Sequence, residues 1–86
     1  MDIFSRSYVE SLIIKDSTYN IKNNIILSGE DLECYVSDYC FYIKDLKSRE
    51  FYNDAIKLRK YLEFALLNYN LTKEQAVNIV KTHLDD

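Results

Sequence analysis

Residues 28–46 read SGEDLECYVSDYCFYIKDL, and the reading of this stretch decides the fold. Ser28 stands before Gly29, Glu30 and Asp31, the order expected of a helix start. A hydroxyl there can accept from free backbone N–H groups, and the carboxylates that follow favour the positive end of the helix dipole. Apolar residues then fall at Leu32, Tyr35, Val36, Tyr39, Ile43 and Leu46. At roughly 100° per residue they collect on one side, whereas an alternating strand would divide them between two faces. The spacing predicts a helix over 29–46.

Downstream the pattern recurs twice. Ser48, with Arg49 and Glu50 in a first turn, predicts a helix over 49–68 whose stripe is Phe51, Ala55, Leu58, Leu62, Ala65, Leu66 and Tyr69, with Leu58 and Leu62 at its centre. Asn68-Tyr69-Asn70 closes it, because Asn tolerates the left-handed conformation of helix ends. Thr72-Lys73-Glu74-Gln75 is a capping box that opens a third helix over 73–84, with Ala76, Val77, Val80 and Leu84 facing inward. Upstream, Phe4, Tyr8 and Leu12 are spaced by four and Ser7-Tyr8-Val9-Glu10 is a further S-x-x-E pattern, which predicts a short helix over 4–15. Residues 17–28 also admit a small β-hairpin, since Tyr19, Ile21, Ile25 and Leu27 alternate weakly around Asn23-Asn24. The expected fold is mainly α: a compact bundle of three to four helices forming one domain over residues 1–86.

Composition narrows the class. A chain of 86 residues is close to the lower limit for one self-sufficient core, and this one compensates with 48% hydrophobic residues, eight tyrosines and four phenylalanines. With one glycine and no proline, there is no linker or low-complexity segment to divide it. No apolar run approaches the roughly 18–20 residues that span a bilayer, and the first residues lack the pattern of a secretory signal, so a cytoplasmic location in a bacterial host cell is expected. Cys34 and Cys40 would lie about 9 Å apart along a helix axis and on different faces, too far for a disulfide. Residues with AT-rich codons (Ile, Lys, Asn, Tyr, Phe) dominate, whereas Gly, Ala, Arg and Pro are scarce. That bias follows from the genetic code and points to an AT-rich genome, such as a low-GC bacterium, its phages or its mobile elements.

Charge and surface suggest binding in place of chemistry. Net charge is −3. Glu30, Asp31, Glu33, Asp38 and Asp45 against Lys44 make residues 28–46 acidic, and Lys47, Arg49, Lys57, Arg59 and Lys60 against Glu50 and Asp54 make residues 47–62 basic. Phe41 lies almost opposite the buried stripe among Glu30, Asp38 and Asp45, the form of an aromatic anchor with a polar rim. These four residues are the expected contacts for another protein. Tyr52, Ile56 and Leu67 lie away from the main stripe of the 49–68 helix and are the expected seam of a homodimer. The alternative is a dimeric nucleic-acid-binding regulator using Lys57, Arg59 and Lys60, which the overall acidic balance disfavours.

No enzyme is expected. His83 has no acidic neighbour one turn back on its own helix, and nearby acids oppose thiolate formation at Cys34 or Cys40. Two cysteines and one histidine make no zinc pattern, a single glycine makes no phosphate loop, and neither metal nor cofactor is expected. The sequence therefore predicts a small protein-binding regulator or inhibitor, plausibly encoded by a phage or mobile element.

Overall fold

In a computed structural model, described here for residues 5–85, the chain forms four helices joined by short links. They are α1 (Arg6–Lys22), α2 (Gly29–Ser48), α3 (Tyr52–Leu66) and α4 (Lys73–Leu84), with a 3₁₀ turn, Leu67–Tyr69, extending α3. The mainly helical bundle expected from the sequence is the fold observed, and no strand occurs among the described residues.

Two predicted boundaries move. Residues 17–22 continue α1 and form no hairpin. Asn23-Asn24, the presumed hairpin turn, closes the helix instead. Asn24 takes a left-handed φ of 55°, its N–H donates to Ile21 O, and the Ile25 N–H donates to Asn20 O. This paired closure satisfies carbonyls that the last turn would otherwise orphan. The N-cap of α1 is Ser5, whose Oγ accepts from the Tyr8 N–H, so Ser7 is not the cap, and Phe4, the expected first residue, lies outside the described residues. The second shift is at α3. Arg49 and Glu50 belong to the end of α2, where Glu50 adopts φ 65° and the N–H groups of Glu50 and Phe51 donate to Lys47 O and Leu46 O.

Gly29 replaces the expected cap chemistry of α2. The Ser28 hydroxyl makes no capping bond, and the chain enters the helix through a φ of +53° at Gly29, a conformation strained for any residue with a Cβ. The capping box of α4 forms as predicted: Thr72 Oγ1 accepts from the Gln75 N–H at 3.1 Å and Gln75 Oε1 accepts from the Thr72 N–H at 2.9 Å.

α3 is the central element and touches the other three helices. Its Leu58, Leu62 and Leu66 are fully buried against Val36, Ile43 and Leu46 of α2, Val80 and Ala76 of α4, and Val9 and Ile13 of α1 in one continuous core. α1 leans mainly on α3, where Arg6 Nε lies 3.1 Å from Asp54 Oδ1, and meets α2 more lightly. That unequal packing leaves a groove between α1 and α2.

Candidate functional site

The α1–α2 groove encloses about 270 Å³ and is lined by Leu12 and Asp16 from α1 and by Tyr35, Asp38, Tyr39, Phe41 and Tyr42 from α2. Helical spacing explains the set. Tyr35, Asp38 and Tyr42 step by three and four along the flank of α2 that faces α1, and Leu12 and Asp16 do the same on α1. The Tyr39 hydroxyl donates a hydrogen bond to Asp16 Oδ2 and ties the two helices together across the groove floor. Burial, then that bond and the charge of Asp16, push the ionisation of Tyr39 far above its ordinary range.

Aromatic rings run along the groove as a ladder. Tyr69 and Tyr35 have centroids 5.6 Å apart, Tyr35 and Tyr39 4.9 Å, Tyr39 and Tyr42 6.2 Å, and Tyr42 and Phe41 5.8 Å, mostly edge to face. Contacts of this geometry each add about 0.5–1.5 kcal/mol beyond the area they bury, which stiffens the wall. The ladder begins in the interior, where the buried Asn20 donates from Nδ2 to the Tyr69 hydroxyl at 2.7 Å. Beside it, Ser17 Oγ and Tyr35 OH are both buried without a hydrogen bond of good geometry. Burial, with the neighbouring Tyr69, pushes the Tyr35 hydroxyl upward as well. At its outer end the ladder reaches Phe41, which is 63% exposed.

Of the residues the sequence marked for partner contact, Asp38 and Phe41 line the groove, whereas Glu30 and Asp45 do not. Glu30 is exposed in the first turn of α2. Asp45 is occupied by Arg49, whose Nη2 and Nε lie 2.8 and 3.1 Å from Oδ2. Leu12, Asp16, Tyr35, Tyr39 and Tyr42 are not among the site residues the sequence marks, because Tyr35 and Tyr39 belong to the apolar stripe, Tyr42 falls outside it, and the helix expected over 4–15 stops short of Asp16. The signal available was the tyrosine content of one flank of α2.

The remaining predicted residues separate. Tyr52, Ile56 and Leu67 are exposed on the outer side of α3 and its 3₁₀ extension. Lys57 and Lys60 are exposed, and Arg59, half-buried, turns to Glu63 with Nε 3.3 Å from Oε2. His83 does have an acidic neighbour, supplied by another helix: its Nε2 lies 2.8 Å from Glu33 Oε2 and its Nδ1 2.9 Å from Ile79 O. Cys40 is buried, Cys34 is exposed, and both are free thiols. Among the described residues no group of His, Cys, Asp or Glu is arranged to hold a metal ion, and no helix is long and apolar enough to cross a membrane.

Compared with known proteins, the chain matches no family model, no curated protein sequence and no solved structure.

Proposed function

We propose that this protein is a small interaction module that regulates or inhibits another protein by docking it on the α1–α2 groove, with no reaction of its own. The observation that carries this reading is the exposed Phe41 at the end of a rigid aromatic wall, beside two carboxylates, Asp16 and Asp38, that make no ion pair among the described residues. A partner that brings a Lys or Arg side chain flanked by apolar groups would find rings for the cation and stem, and carboxylates for the charge. An origin in a phage or mobile element acting on a bacterial host belongs to the same proposal and rests on the small size of the chain together with its AT-rich codon bias.

A photo-crosslinking side chain at Phe41, used in host cells, should trap one dominant protein. Phe41→Ala with Asp38→Lys should abolish capture while leaving helicity intact, since a central aromatic anchor is worth about 2 kcal/mol or more, on the order of thirtyfold in affinity. Lys57→Glu with Lys60→Glu should leave this capture unchanged. The nucleic-acid alternative requires the reverse, together with a salt-sensitive gel shift. Self-association through Tyr52, Ile56 and Leu67 belongs to the same proposal, and sedimentation of the wild type beside Ile56→Asp tests it.

A further inference from the structure

On the other side of α1, Phe64 is 75% exposed, the most open of the large apolar side chains described. Three depressions meet at it. One, of about 210 Å³, lies between α1 and α3 and is lined by Ile13, Ile14, Ile21 and Tyr61. The second is shared with Lys57 and Lys60, and the third with Lys60, Leu67 and Lys73. The charges around them are not balanced. The acids on these rims, Glu10 and Glu63, are held by Arg6 and Arg59, whereas Lys57, Lys60 and Lys73 make no ion pair among the described residues.

We infer that the α1–α3 face is a second docking surface, and that its occupant is an amphipathic helix of another protein with acidic residues flanking its apolar stripe. Ile14 and Ile21, both exposed, are seven residues apart, about 10.5 Å along α1, which matches the i to i+7 spacing of an apolar stripe laid alongside. Such side chains fill the depressions on either side of the Phe64 ring while carboxylates at the flanks meet Lys57, Lys60 and Lys73. The other occupants fit less well. A flat bilayer leaves the depressions empty, and a second copy paired two-fold about Phe64 sets the lysines of one chain against those of the other. A single nucleic-acid strand would use the Phe64 ring and the lysines but would leave the aliphatic Ile14, Ile21 and Leu67 uncovered, since bases stack on rings.

The test is a displayed library of helical peptides with a fixed leucine stripe at i, i+4 and i+7 and randomised flanks, selected on the full chain. Selection should enrich Glu and Asp at the flanks. In fluorescence anisotropy the enriched peptide should bind about thirtyfold more weakly to Phe64→Ala and about tenfold more weakly to Lys57→Glu with Lys60→Glu, with affinity falling as salt rises. These positions are exposed, so circular dichroism should remain that of the wild type. Phe41→Ala should leave this binding unchanged, which keeps a failure here distinct from a failure at the α1–α2 groove. No enrichment, enrichment of basic flanks, or indifference to Phe64 overturns the inference. So does a preference for single-stranded DNA or phosphatidylserine vesicles over the peptide, or self-association of the wild type that Phe64→Asp removes.

Discussion

Replacing Tyr39 with Phe removes one oxygen and tests the tie between α1 and α2. The Tyr39 hydroxyl donates to the Asp16 carboxylate, and a hydrogen bond to a charged group contributes about 1.5–3 kcal/mol. Because Asp16 is exposed to water, the lower figure applies, so Tyr39→Phe should cost about 1.5 kcal/mol at pH 7 in urea denaturation followed by circular dichroism. Near pH 11 the same substitution should cost almost nothing. Burial, followed by the bond to Asp16 and its charge, raises the ionisation of Tyr39 above the value near 10 that it has in the unfolded chain. The folded protein therefore keeps a proton that the unfolded chain gives up. This contribution to stability is full below about pH 10 and falls as pH rises further, at no more than about 1.4 kcal/mol per pH unit. By pH 11 the wild type should have lost about 1.4 kcal/mol that the variant never had, and the two stabilities should nearly meet. Stability curves that stay parallel from pH 7 to 11 would falsify the assignment of Tyr39 as the buried donor.

Other expectations concern the core and the links. Leu58→Ala or Leu62→Ala, each removing a fully buried side chain at the centre of α3, should cost about 2–5 kcal/mol in the same assay. Gly29→Ala should cost about 1 kcal/mol through backbone strain alone, because nothing lies within 4 Å of the added methyl, while Glu50→Gly at another left-handed position should raise the urea midpoint. Asn20→Leu leaves the Tyr69 hydroxyl without its donor and should cost about 1–3 kcal/mol, and pairing it with Tyr69→Phe should recover part of that loss.

Local chemistry was enough for the helices of residues 29–84. Leu32, Val36, Ile43, Leu58, Leu62 and Val80 share faces at helical spacing, and the Thr72 to Gln75 capping box depends only on groups three residues apart, so periodicity and neighbouring side chains specify them. α1 was less legible, because its apolar residues face in several directions: Val9 and Ile13 inward, Leu12 toward α2, Ile14 and Ile21 toward the open side of α3. Asn23-Asn24 suits a hairpin turn and a helix end equally well, and the tertiary contact that favours the helix is that of Asn20, which is buried and donates to the Tyr69 hydroxyl 49 residues away. The sites depended on tertiary structure almost entirely. Asp16 and Tyr39 are 23 residues apart and Glu33 and His83 lie on different helices, so only packing brings them together. Phe41 could be marked as an outward aromatic from its own helix. Whether it stood alone or at the mouth of a groove was fixed by how lightly α1 leans on α2, a property of the whole bundle that no local pattern encodes.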